Sequence, residues 1–221
     1  MDEINKPSPR GDATREALLD AATLVFARDQ FASANLRDIA GIAGVNPALI
    51  GYHFRNKEGL YLAVFERMVE KLRTVIGPAL AGMREALDMD PAAPGARRRC
   101  MEAILHFLED MLVHILQENP AWGELFVREL MNPTAAFDRM FEGLMQHAVS
   151  GLVALLARLR PQDPPEARRL LAGSLITNVA VIRISRAPLM RLMGWTSIGE
   201  AERNLMRALI RRNTTLIVLG E

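Results

Sequence analysis

Residues 35–57 carry the chemistry most easily read from the sequence. Two short helical patterns, 36–43 and 47–53, are separated by Gly44-Val45-Asn46. In such a tight turn the glycine supplies backbone freedom and the valine can plug between the helices. Asn46 stands where its side-chain oxygen caps the second helix, which Pro47 opens, and Asn35 is placed to cap the first. Ile39, Ala40, Ala43 and Ile50 face inward, leaving Pro47, Ala48, Gly51 and Tyr52 outward on the second helix. Small or flat side chains there let a helix backbone sit deep in a major groove of DNA. Lys57 opens the next helix, where free N–H groups and the helix dipole favour a phosphate. Arg37 is the only long bidentate donor near that groove and suits guanine; Ala48 and Gly51 offer contact to thymine methyls and to DNA shape. Taken singly, these residues have plainer readings. His53 is then a packed helix-end histidine, Tyr52 a core aromatic and Arg37 a solvated charge.

The run FASANLRDIAGIAGVNPALIGYHFRNKEGLYLAVF (31–65) resembles the DNA-binding domain of the TetR family of bacterial transcriptional regulators. The likeness covers residues from about 14 to 65, with LRDIA, AGV, YHF and NKEGL in order, and the YHF…NKE ending is its specific part. It implies that the second helix of the motif lies in the major groove of double-stranded operator DNA. It also implies that Tyr52, His53 and Lys57 contact phosphates and that Arg37, Pro47, Ala48, Leu49 and Gly51 face bases, with Asn35 and Asn46 at helix starts. The remainder, 78–221, resembles the family's helical ligand-binding and dimerisation domain. Within it, VRELMNPTAAFDRMFEGL (127–144) is similar to the CecR-type branch, whose members often control efflux or membrane-transport genes.

Outside the motif, three features bear on a ligand or a partner. Glu129 falls between Trp122, Leu125 and Phe126 on a helical wheel, and a buried carboxylate must be paired or protonated. Either it lines an effector pocket, or it makes a structural pair with neighbours of Arg128 or with Arg183. Asn178 is centred among Leu171, Leu175 and Ile182, to bond a ligand or its own symmetry mate. His114, at the edge of the face formed by Phe107 and Ile115, joins Trp122, Phe126, Glu129 and Asn178 as a candidate pocket residue. The last helix carries two apolar stripes where a surface helix needs one. The second suggests a homodimer interface, with Leu205, Met206, Leu209, Ile210 and Ile217 as its candidates.

An enzyme needs a constellation that is missing here: there is no Gly-x-Ser-x-Gly, P-loop or Rossmann glycine pattern, and no cofactor is expected. Glu-x-x-His, the signature of di-iron bundles, does not occur. Glu102/His106 and Asp110/His114 share i, i+4 spacing and supply the competing hypothesis, a helical scaffold or metal-binding bundle that does not bind DNA. The single cysteine, Cys100, excludes an intrachain disulfide and a cysteine-built zinc site.

The elements that would position these residues are helical throughout. Amphipathic patterns occupy 14–29, 36–43, 47–53, 57 toward 75, 98–118, 120–131, 135 onward, 166–185 and about 197–219. Gly77-Pro78 is expected to interrupt or end the fourth, Asn119 to cap the sixth and Thr134 the seventh. The division predicted is a mobile arm, 1–13, then a helix-turn-helix domain, 14–60, and an effector-binding and dimerisation domain, 61–221. In the 221 residues 27 basic side chains balance 26 acidic, for a net charge of +1. Within 14–57 the count is five basic (Arg15, Arg28, Arg37, Arg55, Lys57) against four acidic (Glu16, Asp20, Asp29, Asp38). DNA affinity must then come from a few placed donors, with Lys6, Arg10 and Arg15 adding nonspecific attraction. No uninterrupted apolar stretch reaches the roughly 18–20 residues of a membrane span, and the polar start does not read as a signal peptide. The expectation is an all-α, cytoplasmic homodimer of about nine helices per chain. It would bind a palindromic operator as a repressor and leave it on binding an unidentified small-molecule effector.

Overall fold

A computed structural model describes residues 9–117 and 120–220. Among them are eleven α-helices, one π-helical turn and no strand. The helices are α1 (Pro9–Arg28), α2 (Leu36–Ala43), α3 (Ala48–Phe54), α4 (Lys57–Asp88), α5 (Ala96–Gln117) and α6 (Pro120–Met131). A short α7 (Ala135–Met140) runs through the π turn Phe141–Met145 into α8 (Gln146–Leu159). The chain closes with α9 (Pro165–Ile184), α10 (Arg186–Met193) and α11 (Glu200–Leu219).

The all-helical expectation holds, and four details differ. Helix α1 begins at Pro9, inside the segment expected to lack structure, because a proline in the first turn has no N–H to lose. Lys6 and the expected cap Asn119 lie outside the described residues. Helix α4 continues through Gly77-Pro78 to Asp88. Proline removes one i→i−4 bond, while Ile76, Ala79, Met83 and Ala86 stay buried along one face. Helix α10 was not expected: it is eight residues long and buries no side chain, although Leu189, Leu192 and Met193 share one face. Lastly, Ala135–Leu159 has the length and composition of a membrane-spanning helix. Asp138, Arg139 and Glu142 interrupt its apolar run, and Leu144, Ala148, Leu152, Leu155 and Leu156 are buried in protein.

Two compact units share the chain. The first contains the described residues through Glu70 and those from Pro120 to Met140. Its core includes Leu18, Leu19, Ala22, Phe26, Ile39, Ile50, Leu60 and Phe65. The second unit contains Lys71 to Gln117 and Phe141 to Gly220, with Met83, Ile104, Phe107, Leu108, Leu152, Leu155, Ala172 and Val179 buried in it. The boundary expected at residue 60 therefore falls inside an unbroken helix, and α6 and α7 group with the N-terminal helices.

Candidate functional site

Local chemistry sets the geometry of α2 and α3. The Asn35 side chain accepts from the Arg37 backbone N–H at 2.9 Å, and the Asn46 side chain accepts from that of Ala48 at 2.8 Å. Between the helices Gly44 is left-handed (φ 67°), and Val45 N–H donates to the Ala40 carbonyl at 3.0 Å. That pattern closes the end of a helix and needs a residue without a Cβ penalty. Ile39, Ala40, Ile50 and Phe54 are buried, whereas Arg37, Asn46, Pro47, Ala48, Gly51 and Tyr52 are exposed. Tyr52 is 76% exposed, which removes its reading as a core aromatic. Leu49 is half-buried, so only part of it is available to a partner. His53 is also half-buried, its ring edge-on to Tyr52 with centroids 5.0 Å apart.

The turn out of α3 is more constrained than its sequence suggests. Arg55 has φ 68° and ψ −52°, and Asn56 N–H donates across it to the Phe54 carbonyl at 2.8 Å. This is a left-handed γ-turn, strained for any residue with a Cβ. The Asn56 side chain then accepts from Gly59 N–H at 2.7 Å and so caps α4. A Cβ built on Gly59 would run into the Phe54 carbonyl oxygen. Asn56 and Gly59 thus fix the approach of Lys57, and neither was singled out in sequence. The signal was present in NKEGL, where a capping asparagine precedes a glycine by three residues. Lys57 donates from Nζ to the Ala32 carbonyl at 3.0 Å and lies 5.0 Å from the Phe31 ring centre. An ammonium has three donors, so this contact anchors the lysine without exhausting it. Arg15 lies over the Phe54 ring at 5.4 Å and 3.6 Å from Glu16.

Helices α1, α4 and α6 hold this surface in place. Arg67 on α4 donates to Asp20 at 2.7 Å, Glu16 at 3.2 Å and the Thr23 hydroxyl at 3.0 Å, all on α1. Arg128 on α6 donates to the carbonyls of Phe26 (2.6 Å), Asp29 (2.8 Å) and Ala27 (3.0 Å). It thereby satisfies the otherwise unpaired end of α1. Beside it Glu129, only 1% exposed, accepts from the Tyr61 hydroxyl at 2.8 Å and from Thr134 backbone N–H and hydroxyl, each at 2.9 Å. Burial and the bond to Glu129 push the Tyr61 phenol well above its ordinary range, so it remains a donor. Tyr61 also meets the rings of Phe26, Phe31 and Phe65, each with centroids 5.0 Å away.

The five residues expected in an effector pocket are divided between the two units. Glu129 and Trp122 are buried in the first unit, and Phe126 is half-buried there. Of the two readings of Glu129, the partners seen are those of a structural pair within the first unit, Tyr61 and Thr134. Arg183 instead donates to the Ile115 carbonyl at 2.8 Å, in the second unit. Asn178 is exposed on α9, because the buried stripe is Ala172, Leu175 and Val179. His114 is half-buried on α5; burial, then the charge of Arg183, pushes its imidazole below its ordinary value. The dimer candidates also divide. Met206 and Ile210 belong to the inner stripe with Thr214 and Val218, whereas Leu205, Leu209 and Ile217 are exposed. Of the carboxylates considered for a metal, Glu102 bonds Arg211 at 3.0 Å, and Arg211 also donates to Glu109 at 2.8 Å.

An exposed, capped helix pair with a lysine at the next helix start defines a helix-turn-helix protein. Residues 18–64 match the family described as bacterial regulatory proteins, tetR family. Residues 100–220 match the C-terminal domain of the HTH-type transcriptional dual regulator CecR. CecR of Shigella flexneri is 28% identical over 221 residues, 98% of this chain and 97% of that one. The regulator RutR of Escherichia coli (strain K12) is 35% identical over 165 residues, 72% of this chain and 70% of its own. Among solved structures, a TetR-like regulator from Rhodococcus sp. RHA1 aligns with TM-score 0.59 at 20% identity, covering 94% of this chain and 97% of that one. The fatty acid degradation regulator FadR of Bacillus halodurans aligns with TM-score 0.57 at 18% identity, covering 93% and 98%. These two likenesses show the shared fold. The chain belongs to the TetR family of transcriptional regulators, with a CecR-type C-terminal domain. It is a DNA-binding regulator and not an enzyme.

Proposed function

We propose that the protein is a ligand-responsive repressor that binds a palindromic operator as a homodimer in the cytoplasm. The observation that carries the DNA-binding surface is the division of α2 and α3 into two faces. Ile39, Ile50 and Phe54 are buried, and Arg37, Pro47, Ala48, Gly51 and Tyr52 are exposed. In this reading α3 enters the major groove with Pro47, Ala48, Gly51 and the accessible part of Leu49 toward bases. Arg37 reads a guanine edge, Asn35 and Asn46 set the helix starts, and Tyr52, His53 and Lys57 hold phosphates. Regulators of this family act as dimers. The exposed Leu205, Leu209, Leu216 and Ile217 of α11, with Val181 and Ile184 of α9, supply the apolar surface for one here. Functionally, residues 14–60 serve DNA and the rest serves effector binding and dimerisation. Helix α4 runs unbroken from Lys57 to Asp88 and carries the effector's influence toward the phosphate-binding end. An effector with higher affinity for a conformation whose recognition helices are wrongly spaced would empty the operator. A second reading, activation at some promoters as well, is favoured by the dual regulation named for the CecR relative.

Lys57→Ala tests the phosphate assignment. Binding should weaken for every DNA sequence, and the slope of log affinity against log salt should flatten by about one per protomer. An unchanged slope would remove Lys57 from the phosphate contacts. Arg37→Ala is the contrasting control: it should relax preference at one operator position rather than weaken all sequences equally.

A further inference from the structure

We propose that a cavity between α4 and the start of α8 binds an amphipathic organic anion, which acts as the effector. Its role as effector rests on the reading above, whereas its binding chemistry does not. The cavity has a volume of about 390 Å³ and lies within the second unit. On α4 it is lined by Arg73, Gly77, Leu80, Arg84 and Leu87, spaced three or four residues apart and so on one stripe of the helix. Facing them are Gly143 and Leu144 of the π turn and His147 and Gly151 of α8. Local widenings of this π type concentrate where helices build binding sites.

Three observations set the ligand's chemistry. First, the lining holds two guanidinium groups and one imidazole, with no carboxylate among the described residues that form it. Such a cleft concentrates anions. Second, polarity is divided: Met83 and Leu144 are buried, whereas Arg73, Arg84 and His147 are exposed. An apolar body on the floor and a charged group near the mouth fit that division. Third, the cations are not both committed to the fold. Arg73 donates to the Gly143 carbonyl at 3.0 Å and ties α4 to the π turn. Among the described residues Arg84 has no hydrogen-bonding or ionic partner. The smaller cavity beside Cys100, about 290 Å³, differs on this point. Its arginines, Arg97 and Arg158, are both spent on main-chain carbonyls.

Glycine makes the room. A Cβ built on Gly77 meets nothing within 4 Å, so a larger side chain there would extend into the space without displacing a neighbour. At Gly151 a Cβ would come within 2.9 Å of the Met83 sulfur, so α4 and α8 cross closely at that end of the cavity.

The test uses the whole protein and a dye pair, anilinonaphthalene sulfonate and N-phenylnaphthylamine, the same aromatic body with and without a sulfonate. Fluorescence titration should show one sulfonate site per chain. Gly77→Leu should weaken that site by about tenfold or more while circular dichroism stays unchanged. Arg84→Gln should weaken the sulfonate by about tenfold and leave the neutral amine unaffected. The proposal is overturned if the sulfonate binds Gly77→Leu as well as wild type. It is equally overturned if the amine matches the sulfonate in wild type, or if the sulfonate does not bind at all. Operator binding measured without dye separates the two readings. Intact operator binding with no dye site removes only the cavity; absent operator binding removes the regulator reading and leaves the dye result standing. Dye that occupies the cavity yet leaves operator affinity unchanged overturns the effector role.

Discussion

Glu129→Ala should lower unfolding stability by about 3 kcal/mol, the largest loss expected from one polar side chain in the first unit. The carboxylate is 1% exposed and receives three hydrogen bonds, from Tyr61 and twice from Thr134. Removing it strands the buried Tyr61 phenol without an acceptor, and it takes from the exposed Thr134 the partner of both its N–H and its hydroxyl. For a chain of this length that corresponds to a fall of roughly 10 °C in Tm. Glu129→Gln should lose less, because one amide oxygen still accepts while the amide nitrogen faces a donor. Tyr61→Phe leaves Glu129 with one acceptor bond fewer and should fall between wild type and alanine. Urea unfolding of the three variants checks the order. A Glu129→Gln protein as stable as wild type, with an altered response to ligand, would restore the pocket reading of this residue.

The second large effect concerns assembly. Leu209→Arg should give a folded monomer whose operator affinity falls by at least about a hundredfold, since two linked half-sites gain roughly that much over one. Leu209 is 55% exposed in the single chain, so arginine there does not disturb the inner stripe of Met206, Ile210, Thr214 and Val218. Across a two-fold axis, however, it would place a charge in an apolar contact, where an unpaired charge is costly. Sedimentation velocity reads the mass and a gel shift reads the affinity. A variant that stays dimeric would move the interface away from α11. The paired control is Met206→Arg, which should unfold the chain because Met206 is buried within its own bundle.

What could be read in the sequence was whatever depends on neighbours within a few residues. Asn35, Gly44 and Asn46 act on backbone groups at most five positions away, and their roles follow from residue type and spacing. The same rule separates hits from misses elsewhere. That Glu129 is buried follows from its helical wheel, but Tyr61 is 68 residues distant and no local pattern names it. Arg128, Arg158, Arg160 and Arg183 each donate to carbonyls near the end of another helix. In sequence, such arginines cannot be told from solvated surface charge. The two stripes of α11 were legible as two, yet both are apolar, and only packing shows that Met206 and Ile210 face inward. The surroundings of Asn178 differ for a related reason: three apolar residues flank it in sequence, but the helix turns Ala172, Leu175 and Val179 toward the core and leaves Asn178 exposed. The cavity was out of reach altogether, because Gly77 and Gly151 stand on helices far apart in the chain.

These contacts also locate where the DNA-binding surface gets its rigidity. Arg128 and Glu129 are adjacent on α6, one closing the end of α1 and the other holding Tyr61 of α4. Arg67 ties α4 to α1 a second time. A nearly neutral domain gains from such bracing, since affinity rests on a few donors whose positions must not wander.

The most direct test of the central claim is a footprint of the full-length protein on the DNA upstream of its own gene. Two protected half-sites should appear, related by a two-fold axis and centred about 34–36 Å apart or a multiple of that distance. Arg37→Ala should relax base preference at the same position in each half-site. A single unpaired protected site, or protection that spreads evenly with no preferred sequence, would contradict the account.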